Sequence, residues 1–427
     1  DLHGHLEHFA SQARLVEKIR RENGQKGIVT FVLFAGDLFT GTPISSVWRG
    51  DVEVEAVNRL GLDLMVVGNH DFDFSLPRLL ALHKKMKFPL ISANIFYSGS
   101  GQLLFSPLHE LAQEQTRLAV LGLTAPRTPV QTHPDNVKGL LFADPVETTK
   151  QYLADLRRAD FQIALTHMEE KDDRELLKQF KTVDLILAGH THPDPKEKPY
   201  CRKVRSRHLC RTPAYGTHMG RIDLTPSGED WKVAATELIP LDAGLPEDPK
   251  IKSWLARYER EVDRRYGQII AYAKDDLPHH REGPTPLGRL IAGVMKEYSG
   301  ADVALINSGG IRYSLKKGPI RMKDVITILP FNNFPQVLEL TGKELKAVLK
   351  FSEKKKNSGG YLQTAGLDGK KFGPEAKIKV CTADFLTAGG DGYSHFKDKK
   401  IAQSYSKTIG EIFAEYLKNQ HTIAVAE

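Results

Sequence analysis

Residues 66–74 read VVGNHDFDF. A short apolar run over 65–67 closes on Gly68 and opens into Asn69, His70, Asp71 and Asp73, which is the pattern of a buried strand delivering polar groups to its own C-terminal end. Open α/β sheets keep their ligands at that end. Taken alone, the stretch reads equally well as a capped turn with an incidental histidine. The choice between the two rests on what the other strand ends carry.

Outward from this stretch, the same chemistry recurs. The chain begins DLHGHLE, with Asp1 and His3 two residues apart and so on one side of an extended segment. A helix is expected over 9–22 and a buried strand over 28–34, which runs into AGDLFTG with Asp37 just past its end. Asp37 alone could also cap a helix or turn, the less favoured reading. Helices are expected over 51–60, 77–87, 148–158 and 172–181, and strands over 64–67, 89–94, 118–123, 161–165 and 183–188, with a hairpin or loop excursion at 95–118. The strand at 161–165 ends in Thr166 and His167, and that at 183–188 ends in GHTH, residues 189–192. Strands alternating with helices predict helices packed on a layered sheet.

The strand-end donors are therefore Asp1, His3, Asp37, Asn69, His167, His190 and His192. Seven nitrogen and oxygen ligands, with no cysteine among them, suit a pair of divalent transition-metal ions better than one structural zinc. One carboxylate can bridge two cations about 3.5–4 Å apart. Such a donor set accepts zinc, manganese, iron or cobalt.

Composition narrows the class. The chain has 427 residues, more than one core usually serves, so two domains are expected. With 41% hydrophobic and 26% charged residues it has the make-up of a globular protein, and no apolar run approaches the ~20 residues of a transmembrane helix. A net charge of +7 is read as a solvated basic face rather than a nucleic-acid footprint. The basic run from Lys196 to Arg211 is read in the same way, as a solvated hairpin. Three cysteines are too few for a disulfide framework; Cys201 and Cys210 could pair across a hairpin or stand as two thiols. Residue 1 is already the first motif aspartate, which places any signal peptide and the start of the first strand upstream.

The first domain is expected over 1–241, a linker with a helix over 242–268, and a second domain over 269–427. Apolar residues 251, 254, 255, 258 and 262 give residues 249–266 helical periodicity. The second domain opens with HHREGPTPLGRLIAGVMKEY, with a helix expected over 287–298. A strand at 304–306 runs into NSGGIRYSL, where a glycine pair beside Arg312 lets backbone amides and a guanidinium approach an anion. The run at 326–329 leads to PFNNF, a strand at 337–340 to a helix over 342–353, and a strand at 378–382 to DFLTAGGDGY. Phe331 and Tyr393 are each expected to follow a strand, beside asparagine or glycine, in positions outside the core and able to sandwich a planar base.

The series DLHG, GDLFTG, GNHDFD, TH and GHTH resembles that of the calcineurin-like metallophosphoesterases, and the C-terminal motifs resemble those of the two-domain 5'-nucleotidase and UDP-sugar hydrolase group. The resemblance spans essentially the whole chain. It implies an α/β (α+β) protein: an N-terminal four-layer α/β/β/α sandwich and a C-terminal α/β substrate-binding domain. One metal would be held by Asp1, His3, Asp37 and His192, the other by Asp37, Asn69, His167 and His190. His70 and Asp73 match the catalytic dyad, with Asp73 fixing the His70 tautomer. Asp71 is read as structural. Phe331 and Tyr393 match a nucleobase clamp, with Arg281, Asn307, Gly310 and Arg312 at substrate positions and Asp398 near the ribose.

The implied activity is hydrolysis of nucleoside 5'-monophosphates, together with UDP-sugars or cyclic nucleotides, in the periplasm or outside the cell. Arg289, after Gly288, and Asn332-Asn333, after the clamp phenylalanine, depart from the family pattern and bear on which nucleotide is taken. Two other readings stand beside it: a hydrolase of a non-nucleotide ester, and a binding protein that keeps the fold without turnover.

Overall fold

A computed structural model describes residues 1–113, 116–194, 200–228, 230–242, 244–367 and 372–424. Lys196 and Lys198 of the basic run lie outside the described residues. The chain divides into two compact units. One comprises Asp1–Thr40, Trp48–Thr132 and Asn136–Arg257; the other comprises Gly41–Val47, His133–Asp135 and Tyr258–Glu427. The amphipathic helix Pro249–Tyr266 runs through the division between Arg257 and Tyr258.

The first unit is built on two sheets. A parallel sheet of three short strands, Leu33–Phe34, Leu64–Val66 and Leu90–Ile91, has Leu64–Val66 at its centre. The larger sheet has six strands in the order Cys201–Val204, Arg207–Arg211, Leu185–Ala188, Phe161–His167, Thr116–Thr124, Leu108–Gln113. Its four inner strands are parallel and its two edge strands antiparallel to their neighbours. The excursion at 95–118 thus supplies an edge strand, Leu108–Gln113, besides the short strand Ile95–Tyr97 that pairs with Leu140–Phe142.

Because successive side chains of a strand point to opposite faces, each central strand serves two cores. Val120, Ile163, Leu165 and Leu185 join Leu64, Val66 and Ile91 between the two sheets. Their neighbours Ala119, Leu121, Ala164 and Ile186 join Leu156, Leu176 and Leu177, which belong to helices Pro145–Leu156 and Glu170–Gln179. Residues apolar on both faces explain why these strands read as continuous hydrophobic runs rather than alternating ones.

Cys201 and Cys210 are directly opposed across the edge hairpin and joined as a disulfide. Arg207 and Arg211, counted in sequence as solvated, are 6% and 7% exposed. Arg207 donates to the carbonyls of Leu177 and Phe180, and Arg211 pairs with the buried Asp173.

The second unit has one large core. Its main sheet has five strands in the order Leu362–Ala365, Val303–Asn307, Lys377–Ala383, Pro335–Thr341, Ile401–Ser404. Helix Pro286–Ser299 starts where the Thr285 hydroxyl accepts the Gly288 N–H, and helices Gly342–Glu353 and Ile409–Gln420 each start in a capping box, Thr341 with Glu344 and Thr408 with Glu411.

Candidate metal centre and substrate loops

The strand ends of the first unit converge. His167 Nε2 lies 3.1 Å from Asp37 Oδ2, 3.2 Å from Asn69 Oδ1 and 3.3 Å from His190 Nδ1. His192 Nε2 lies 3.0 Å from Asp1 Oδ2 and 3.2 Å from His3 Nε2, and His3 Nε2 is 3.7 Å from Asp37 Oδ2. The seven predicted donors thus fall into two sets, and Asp37 Oδ2 stands between them.

The arrangement fits divalent cations on several grounds. Ring nitrogens of His3 and His192, and of His167 and His190, face one another at hydrogen-bonding distance amid the Asp1 and Asp37 carboxylates. Asp1 Oδ1 is buried with no hydrogen-bond partner; an orphaned buried carboxylate oxygen is costly unless a cation accompanies it. Burial opposes the ionisation of Asp37, yet the neighbouring His167, His70 and His3 hold its carboxyl well below the usual range. His3, Asp37 and His190 also adopt left-handed backbone, with φ of 51°, 55° and 70°. Such residues each cost on the order of 1–3 kcal/mol and persist where the surroundings demand a particular side-chain aim.

Glycine makes the approach possible at two points. A Cβ on Gly68 would overlap the Asp37 carboxylate and backbone, and one on Gly189 would overlap Asp1 Oδ1 and the Ala35 carbonyl.

Further groups orient these donors. The Ala35 carbonyl accepts the His167 Nδ1–H at 2.6 Å, which leaves the Nε2 lone pair facing Asp37 and Asn69. Asp71 accepts the N–H groups of Gly68 at 2.7 Å, Leu38 at 2.8 Å and Asp37 at 3.2 Å. It therefore ties the GDLFTG and GNHDFD loops together. Burial, with the nearby Asp37 charge, pushes its carboxyl up to about 7.

His70 and Asp73 form a pair, Nδ1 to Oδ2 at 2.7 Å, while the His70 N–H donates to Asp37 Oδ1 at 2.8 Å. The other Asp73 oxygen accepts from the Thr132 hydroxyl at 2.8 Å, and Asn136 donates to the Asp73 carbonyl at 3.0 Å. Sequence reasoning missed Thr132, Asn136, Gln131 and Glu169. The last two contact His190, and only Glu169 carries a local signal, as a carboxylate two residues past His167.

In the second unit the substrate candidates are less uniform. Asn307 ends the strand Val303–Asn307 and donates from Nδ2 to Asp391 at 2.8 Å. Its Oδ1 is buried without a hydrogen-bond partner and faces Gly310, where a Cβ would come within 3.1 Å. Arg312 lies over the Phe331 ring, 5.7 Å from its centroid. Arg281 and Asp398 are exposed, and the Arg281 carbonyl accepts the Asn357 N–H.

Two expectations are corrected: Phe331 follows the helix Met322–Ile328 rather than a strand, and Tyr393 lies in the core. Its side chain is wholly buried, its hydroxyl donates to the Gly360 carbonyl at 2.7 Å, and its ring packs edge-on to Phe351 and stacked on Phe396. The glycines before it bend the chain inward, so an aromatic that reads as exposed beside a turn belongs to the core. Asp391, in the same GGDGY segment and at φ 51°, is what reaches Asn307.

Two carboxylate-linked histidine sets gathered at strand ends make a candidate metal centre. Residues 1–194 match the calcineurin-like phosphoesterase family, and residues 267–371 match the 5'-nucleotidase C-terminal domain. The chain belongs to the two-domain 5'-nucleotidase family of calcineurin-like phosphoesterases, and it is a phosphoester hydrolase that works with divalent metal ions.

A 5'-nucleotidase of Vibrio cholerae is 26% identical over 98% of this chain and 87% of its own length. The trifunctional nucleotide phosphoesterase YfkN of Bacillus subtilis is 28% identical over 98% of this chain, which spans 33% of that longer protein. The crystal structure of a 5'-nucleotidase precursor from Thermus thermophilus superposes with a TM-score of 0.86 at 26% identity, covering 98% of this chain and 92% of that one.

Proposed function

We propose that the protein releases phosphate from nucleoside 5'-monophosphates, with UDP-sugars and 2',3'-cyclic nucleotides as further substrates, at a centre of two divalent ions. The observation that carries this reading is the position of Asp37 Oδ2, 3.1 Å from His167 Nε2 and 3.7 Å from His3 Nε2, between two donor sets. Asp1, His3, Asp37 and His192 hold one ion; Asp37, Asn69, His167 and His190 hold the other. Zinc, manganese, iron and cobalt all suit these donors. When bound, the ions acidify water and neutralise charge on the phosphoryl group.

The chain's own part follows from the dyad. Asp73 accepts the Nδ1–H of His70 and favours the ring's charged form, so Nε2–H is the donor offered to the phosphoryl or leaving-group oxygen. Thr132 holds Asp73 in that orientation. Residues 1–241 act as the catalytic domain, 242–268 as the linker and 269–427 as the nucleotide-binding domain. There, Asn307, Gly310, Arg281 and Arg312 meet the substrate, Arg312 and Phe331 forming a charged, stacked platform for a base, with Asp398 toward the ribose. The Cys201–Cys210 disulfide supports a periplasmic or secreted enzyme.

Phosphate release from AMP, UMP, UDP-glucose, a 2',3'-cyclic nucleotide and an aryl phosphate, with manganese or zinc and with chelator, tests the reading. Metal-dependent preference for a nucleotide supports it. The burial of Tyr393 favours one second reading, a hydrolase of a non-nucleotide ester; activity on the aryl ester alone would support that reading instead.

A further inference from the structure

His190 is the donor whose proton placement decides whether its set can form. Its Nδ1 lies 3.3 Å from His167 Nε2, inside the set that includes Asp37 and Asn69, while its Nε2 points the other way. A neutral imidazole carries one proton, and only the nitrogen without it can ligate. With the proton on Nδ1, an N–H would point at His167 Nε2 and at the place where the cation belongs. The proton must therefore be held on Nε2.

The outward side of the ring has the groups to do this. Glu169 Oε1 lies 3.3 Å from His190 Nε2, and its side chain remains 39% exposed. Gln131 places its amide nitrogen 3.2 Å from the same Nε2 and 3.5 Å from Glu169 Oε1, while its own Oε1 is buried with no hydrogen-bond partner. Half a turn of that amide brings Oε1 to His190 Nε2 as a second acceptor, and in exchange turns the amide N–H2 away from Glu169 into the place Oε1 occupies.

We infer that Glu169, assisted by Gln131, is a positioning residue that holds the His190 proton on Nε2 and so makes Nδ1 the ligating atom of the second metal set. The same logic is already visible at His167, whose Nδ1 is held by the Ala35 carbonyl. At His190 the acceptor is a carboxylate, which makes the imidazole a stronger donor to the cation than a carbonyl would. The inference rests on the two-ion reading of the site.

The test is calorimetric titration of the metal-free protein with manganese, together with nitrogen-correlated NMR of the histidine rings. Wild type should bind two equivalents and show His190 as the Nε2–H tautomer. Glu169→Ala should weaken one equivalent by roughly 10–100-fold and leave the other in place. Glu169→Gln keeps an acceptor and should recover most of that loss. Two unchanged equivalents in Glu169→Ala, or a wild-type His190 protonated on Nδ1, would overturn the inference. A wild type that binds fewer than two equivalents would instead sink the two-ion reading. If Glu169→Ala does not fold, the wild-type tautomer and the Glu169→Gln titration decide the matter.

Discussion

The Asp71 carboxylate accepts the Leu38 N–H at 2.8 Å across 33 residues of sequence, and through it the loop that carries Asp37 is tied to the loop that carries Asn69 and His70. The residue that organises both loops lies in neither donor set. Replacing Asp71 with Ala leaves the Gly68, Asp37 and Leu38 N–H groups without their acceptor in a buried place. A loss of roughly 2–3 kcal/mol in folding stability is expected: each hydrogen bond to a charged group contributes about 1.5–3 kcal/mol, and the loss of three is partly offset by removing a buried carboxyl held beside the Asp37 charge. Urea unfolding of the metal-free variant measures it, and an unchanged midpoint would remove Asp71 from this role.

His70→Ala should lower kcat by roughly 10²–10⁴-fold with little change in KM, because proton transfer and charge stabilisation at the leaving oxygen belong to the transition state. Thr132→Val should act in the same direction but more weakly, by roughly tenfold, the lower end of the ~1.5–3 kcal/mol that a hydrogen bond to a carboxylate contributes. Steady-state kinetics on one substrate compares them, and a Thr132→Val effect confined to KM would argue that Asp73 needs no such support.

Phe331→Ala should raise KM for nucleotides by roughly 5–150-fold, the range that corresponds to base stacking at about 1–3 kcal/mol. Phenyl phosphate, which has no base, is the control. Equal losses on both substrates would show that Phe331 acts through the fold rather than through the base. Tyr393→Phe removes a hydroxyl that bonds the Gly360 carbonyl inside the core, so its effect should fall on stability and leave the nucleotide preference unchanged.

Cys381 sits wholly buried in the central strand Lys377–Ala383, and burial pushes its thiol up to about 11. At pH 8 the native protein should be inert to thiol reagents, because the thiolate is the reactive form. Unfolding without reductant should expose one reactive thiol per chain, and unfolding with reductant three. Three thiols without reductant would contradict the Cys201–Cys210 disulfide.

What could be read from the sequence follows from where the interactions are made. Asp1, His3, Asp37, Asn69, His167, His190 and His192 announce themselves because each sits in a short glycine-bearing motif at a strand end, so chemistry and conformation are encoded within a few residues. Thr132 and Gln131 act on Asp73 and His190 across 59 residues, with no local pattern to mark them. Arg207 and Arg211 read as solvated because charge run and burial are independent facts; only the helix ends and Asp173 packed over them account for their placement. Tyr393 misled for the opposite reason, since local glycines mimic an exposed turn while Phe351 and Phe396 cover it from distant and near positions.

On the two-ion reading, Asp37 belongs to both donor sets. Metal content of the purified, reloaded protein, measured by inductively coupled plasma mass spectrometry beside that of Asp37→Ala and His192→Ala, tests it most directly. Two ions per wild-type chain are expected, one in His192→Ala, and loss of affinity for both in Asp37→Ala. An Asp37→Ala variant that still holds one ion at wild-type affinity would contradict the sharing of that carboxylate.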